Sequence, residues 1–220
     1  MQTRSSAPFF ASWFLLSLTA TVPAQGPGTQ SRIQVLVYNF AGVPAETMAL
    51  AESRAATIYR HAGIEMDWLD CPLTSEEAAR YPQCLLSAAP DRMALRVVAG
   101  HMGAQFGLAR DAFGAASVPA VHGFGVVALV CAECSARLAH GDQAMDAAIL
   151  GHVMAHELGH LLLGTTGHTA RGLMHAAWRG KELQRVAQGS LLFTSDEAAK
   201  MRRNAATRLA SASPAEIAAH

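Results

Sequence analysis

The chain has 220 residues, and its 17 Lys and Arg are balanced by 17 Asp and Glu, so it carries no formal net charge at pH 7. No global field draws it to nucleic acid or anionic lipid, and with only 6% aromatic residues and no basic patch alternating with them a nucleic-acid role has no support. The length fits one domain with a sizeable core, and a monomer is the default expectation.

Arg4, the apolar run over residues 9–20 and then Val22-Pro23-Ala24 read as a secretory signal peptide spanning residues 1–24, cut after Ala24. The expected location is therefore secreted or periplasmic. That run is too short to span a membrane, and the later apolar stretch at 142–164 is broken by Asp146, Gly151, three His and Glu157. Residues 25–31 form a Gly/Pro/Gln linker. Residues 32–40, rich in Ile and Val, predict a strand, which Gly42 and Pro44 end. Met48, Leu50, Ala51, Ala55, Ile58 and Tyr59 recur at helical period over 46–61, and Gly63 closes that helix. Residues 64–69 alternate as a second strand. Residues 71–91 carry three Pro and two Cys and read as a loop tied by a disulfide. A third strand follows at 93–99. Residues 100–123 contain five Gly and show no strong period. A fourth strand occupies 124–131. Asp142 is placed to cap a long apolar helix. Thr194 and Glu197 have capping-box spacing and open a last helix to about residue 209. Residues 211–220 read as a frayed tail.

The long helix carries the chemistry. His156-Glu157-Leu158-Gly159-His160 is an H-E-x-x-H motif. Residues four apart share one helix face, so His156 and His160 can offer two imidazole nitrogens to one metal ion. Glu157 then lies beside the metal's open position, where it can take a proton from bound water. With 10 His in the chain, a chance match somewhere is about a 2 in 100 event. The flanks lower that further, because Ile149, Leu150, Val153, Met154 and Leu161 to Leu163 leave little surface for unrelated polar groups, and burying Glu and two His needs partners. Gly164 can end the helix in a left-handed turn, which returns the chain to the metal at His168. Met174 follows six residues later.

This order resembles the metzincin clan of zinc peptidases, with two His on a helix, a Gly turn, a third His and a Met-containing turn under the metal. The clan's pattern is H-E-x-x-H-x-x-G-x-x-H, whereas here each gap is one residue longer. The resemblance covers mostly residues 142–175. It implies a zincin-like α+β domain over 32–210, a twisted mixed sheet packed on two long helices. It also implies an edge strand over the cleft that could pair with a bound peptide, best sought at 105–127. The activity implied is a secreted zinc metalloendopeptidase acting on protein or peptide: Zn²⁺ on His156, His160 and His168, Glu157 as general base, and Met174 in the Met-turn. Many metzincins place a Tyr two residues after that Met to bind the developing oxyanion; here position 176 is Ala.

Glu182 is the runner-up third ligand, at a distance used by another zincin branch, but Arg179-Gly180-Lys181-Glu182 reads as a solvated charge cluster. His152, one turn before His156, reads as a packed neighbour. His101, His122, His140 and His175 default to solvated or structural roles, although His175 could reach the cleft. Four Cys in an exported chain favour disulfides, and of three possible pairings Cys71–Cys84 and Cys131–Cys134 are preferred. The C-x-x-C of the second pair also fits a redox motif, which nothing else in the chain supports. The rival to a peptidase is an exported zinc-binding module without peptidase activity. An intact Glu157 argues against it, since metal binding alone does not need that residue.

Overall fold

The computed structural model describes residues 31–85, 89–109, 112–119 and 124–212. The expected signal peptide, all of the linker before residue 31, His122 and residues 213–220 lie outside those described.

The elements run in the order β1 (Ser31–Asn39), α1 (Ala45–His61), β2 (Ile64–Asp70), α2 (Ser75–Ala78), α3 (Pro82–Leu85), β3 (Arg92–Val98), α4 (Gly100–Gly103), a 3-10 turn at Ala104–Phe106, β4 (Gly114–Ser117), β5 (Val127–Cys131), α5 (Ala132–Ala139), α6 (Gln143–Leu163), α7 (Gly180–Ala187) and α8 (Ser195–Ala212). The strands form one five-stranded sheet in the order β2-β1-β3-β5-β4. β1, β2, β3 and β5 are mutually parallel, and β4 alone runs antiparallel, on β5. The fold is the expected α+β class, a mixed sheet packed on two long helices, α1 and α6.

Parallel strands need cover on both faces. Ile33, Val35 and Val37 of β1 alternate onto the helix side, where they share the main core with Ile58, Leu158 and Leu162. Leu36 points the other way and is covered by Cys71 and Cys84, so the segment 71–85 roofs the far face. The structure joins Cys71 to Cys84 and Cys131 to Cys134, the preferred pairing. Tyr38 Oη donates to Cys84 O at 2.8 Å, which seats that roof on β1.

Three expectations change. Residues 71–91 are not all loop: α2 forms because Thr74 caps it, its hydroxyl accepting from Glu77 N at 3.3 Å, and α3 starts on Pro82. The strand expected from residue 124 begins at Val127. The charge cluster at 179–182 opens α7, whose Val186 is fully buried.

α6 is the centre of the molecule. Every residue from Ala147 to Leu163 is buried, which marks a helix enclosed on all sides. Asp142 caps it as expected, its carboxylate accepting from Met145 N at 3.0 Å. Tyr59 of α1 donates to Ala155 O at 2.8 Å, and Asn204 of α8 donates to Leu162 O at 2.7 Å. Arg208 of α8 is fully buried and donates to Pro90 O and Gly125 O, fastening two loops that lead into β3 and β5.

Candidate metal centre

His156, Glu157 and His160 lie on α6 with relative exposures of 7%, 6% and 4%. Burial is therefore the first fact about their chemistry. It pushes His156 down to about 4, with the backbone bond to Leu173 opposing and His160 and His168 adding to the shift. Burial also lowers His160. Both rings are thus neutral near pH 7, the form that ligates metal.

Their hydrogen bonds decide which nitrogen is free. His156 Nδ1 sits 2.8 Å from Leu173 O, and His160 Nδ1 sits 2.8 Å from Thr165 O. A carbonyl only accepts, so each Nδ1 carries the ring's single proton and each Nε2 keeps a bare lone pair. Those two Nε2 atoms face one another at 3.1 Å. Two lone pairs cannot hydrogen-bond, whereas a cation between them satisfies both. Bonds of roughly 2.0–2.1 Å at tetrahedral angles separate ligand atoms by about 3.4 Å, close to this spacing.

His168 completes the group. One ligand atom from each of His156, His160 and His168 lies within 4.8 Å of the others. His168 is exposed, so its ring is free to adjust by the roughly 1 Å that a metal would ask of it. The turn that delivers it starts at Gly164, where a left-handed φ of 63° lets Gly164 N donate to His160 O at 2.9 Å. Thr165 O, which orients His160, belongs to that same turn. Glu182 is placed otherwise: half-buried, its carboxylate accepts from Arg179 N at 3.2 Å and caps α7.

Met174 is fully buried beneath the helix. Gly159 makes the space, since a Cβ there would meet Met174 Sδ and Phe193 Cε1 at 2.9 Å each. The neighbouring Leu173 supplies the carbonyl that orients His156, so the turn at Met174 reaches a candidate ligand through its second ring nitrogen.

His156 and His168 border a cleft of about 370 Å³ whose walls include Phe113, Gly114, Leu138, Val153, His175 and Trp178. Glu157 opens into it, and burial pushes its carboxyl up to about 8. A Cβ on Gly114 would stand 2.6 Å from Glu157 Cδ and Oε1, so β4 passes directly over this side chain.

No family model matches the chain, and no curated protein matches it. Among solved structures it is similar to the crystal structure of archaemetzincin from Methanopyrus kandleri. That similarity has a TM-score of 0.49 and 17% sequence identity, covering 82% of this chain and 98% of that one.

His152 is buried, with Nδ1 2.7 Å from Ala148 O, and is not one of the three clustered His. Sequence reasoning gave no role to Trp178, whose ring stands edge-on to His156 at 5.7 Å between centroids, nor to Gly114. No spacing rule finds either one, because each meets α6 only through the tertiary fold. Cys131 and Cys134 lie in a small cluster with Leu108, Ala112 and Ala115 behind the cleft wall. Two disulfides are consistent with an extracellular or periplasmic protein. No described helix is long and apolar enough to cross a membrane.

Proposed function

We propose that the chain is an exported zinc-dependent metallopeptidase that hydrolyses peptide bonds. The observation that carries this reading is the pair of bare Nε2 lone pairs of His156 and His160, 3.1 Å apart, with both Nδ1 protons already committed to backbone carbonyls. His156, His160 and His168 would hold the metal. Bound there, Zn²⁺ would polarise the scissile carbonyl and lower the pKa of an attacking water. Glu157 takes the proton from that water and passes it to the leaving amine nitrogen. Its burial supports the second step, since a carboxyl pushed up to about 8 holds a proton readily until the amine takes it. A dication held by the three His would oppose that shift and favour the carboxylate form of Glu157 for the first step. The open edge of β4 beside Glu157 fits an extended peptide laid along it.

The test is Glu157→Gln in a digest of a diverse peptide library, with zinc measured on both proteins. Glutamine keeps the shape and cannot accept the water's proton. We expect about one zinc per chain in each, and a rate lower by roughly a hundred- to ten-thousand-fold in the variant. A variant as fast as wild type would remove Glu157 as the base. A wild type that holds zinc and cleaves nothing would leave the non-enzymatic zinc-binding module as the better reading.

A further inference from the structure

The reaction as derived needs one more group. When water adds to the scissile carbonyl, negative charge grows on the carbonyl oxygen, and a fixed hydrogen-bond donor facing that oxygen is among the largest contributions a site can make. Of the polar side chains bordering the cleft, His156, His168 and Glu157 already have work, which leaves His175 and Trp178.

Their unpaired atoms separate the two. Trp178 Nε1 is buried without a partner, so its N–H is hidden from anything entering the cleft. In His175 the buried, unpartnered atom is Nδ1. A neutral imidazole carries one proton. On Nδ1 that proton would be an unsatisfied buried donor, which is disfavoured. On Nε2, the proton belongs to the less enclosed side of a half-buried ring that borders the cleft, and the Glu182 carboxylate, whose charge interacts with this ring, already accepts from Arg179 N. The preferred tautomer therefore carries the donor on Nε2.

The backbone under this ring is fixed. His175 N donates to Gly172 O at 3.2 Å, and Thr169 N donates to Met174 O at 2.9 Å, closing a bridge between Thr169 and His175. Leu173, in the same turn, holds His156. One rigid turn thus sets both a proposed ligand and this donor.

We infer that His175 donates a hydrogen bond from Nε2 to the oxyanion formed during peptide hydrolysis, the task for which position 176 offers only Ala. The inference rests on the peptidase reading above. The water oxygen bonds to the carbonyl carbon, the π pair moves to the carbonyl oxygen, and Glu157 holds the water's proton. His175 keeps its own proton and stabilises the charge. The pair then returns, the C–N bond breaks, and Glu157 delivers its proton to the amine.

The experiment uses zinc-loaded full chain, a reporter peptide from the library digest, and a phosphinic peptide of the same sequence whose tetrahedral anionic group mimics the adduct. His175→Phe should lower kcat by about a hundred- to a thousandfold, with KM within about threefold and zinc still at about one per chain. The phosphinic peptide should bind the Phe variant at least about tenfold more weakly. His175→Gln, whose amide N–H reaches about as far as Nε2, should recover at least about tenfold of the lost kcat. A Phe variant with wild-type kcat and wild-type affinity for the phosphinic peptide overturns the inference and leaves the peptidase reading standing. Loss of zinc or of fold in both variants, or a Gln variant as slow as Phe, assigns His175 a structural role and overturns it as well. A wild type that cleaves no peptide removes both readings together.

Discussion

The two sides of the cleft are built on opposite principles. The floor is α6, buried from Ala147 to Leu163 and tied by hydrogen bonds to α1, α8 and the Met174 turn. The wall is β4, four residues long, half-buried or exposed, and bonded only to β5 among the described residues. The floor fixes the proposed ligands, where an error of about 1 Å is costly. The wall leaves one edge without a strand partner among the described residues, which the proposed function would give to a substrate strand. Rigidity and vacancy are thus assigned to different elements.

The largest effect should come from breaking the floor. His160→Ala should lose stoichiometric zinc and, with it, the stabilisation that a tightly bound ligand gives the native state, about 4 kcal/mol when zinc is present at a thousand times its Kd. His168→Ala, on the exposed turn, should weaken zinc while sparing the metal-free fold, and Glu182→Ala should leave zinc affinity at the wild-type value. Zinc titration alongside thermal melts with and without chelator checks all three. If only the Glu182 change weakens zinc, the third ligand is misassigned.

Next is the contact between the two sides. Gly114→Ala places a methyl where Glu157 now lies, so either β4 or the carboxylate must move. We expect zinc retained, stability lower by about 1–3 kcal/mol, and a rate drop near a hundredfold. Normal turnover in this variant would show that β4 yields more easily than the comparison implies.

A smaller change should reach the wall alone. Cys131 N donates to Phe113 O at 2.8 Å, and Cys134 Sγ lies against Ala112 O. Replacing Cys131 and Cys134 by Ser should speed amide exchange at 112–117 while α6 exchanges as before. The lost cross-link closes a short loop and is worth about 2 kcal/mol on the chain-entropy argument. Faster exchange in α6 would mean the two sides are mechanically coupled.

The smallest effect lies outside the cleft. Burial, then the charge of Asp70 and a hydrogen bond to it, raise Glu52 from 4.5 to about 7. An unfolded chain loses this proton near pH 4.5 and the native one near pH 7. The native state is therefore favoured below pH 4.5, and that contribution is lost as pH rises to about 7. Glu52→Gln should stabilise the protein at pH 8 by about 1 kcal/mol after allowance for solvent screening, with no gain at pH 4. Urea midpoints at the two pH values test the sign.

Sequence pattern exposed the floor far better than the wall. The long apolar run, the Asp142 cap, the four-residue spacing of His156 and His160 and the Gly164 stop are local, so α6 and its polar residues could be read directly. β4 is Gly-Ala-Ala-Ser, with no alternation, and becomes a strand only because β5 lies beside it. α7 is short, three of its eight residues are charged, and Val186 is its one buried residue. The free nitrogens of His156 and His160 depend on carbonyls at Leu173 and Thr165, and the cleft position of His175 depends on the same turn. Those relations are tertiary, and no residue spacing encodes them.

The disulfide connectivity has a consequence for how the chain matures. Cys71 pairs with Cys84, and Cys131 with Cys134, so each cysteine is joined to the next one along the chain. If the chain is threaded N-terminus first into an oxidising compartment, an oxidase that links each newly emerging thiol to the preceding free one would produce this set directly. Shuffling by an isomerase would have nothing to correct, and the three clustered His, all downstream of the last cysteine, would emerge after the thiols are spent.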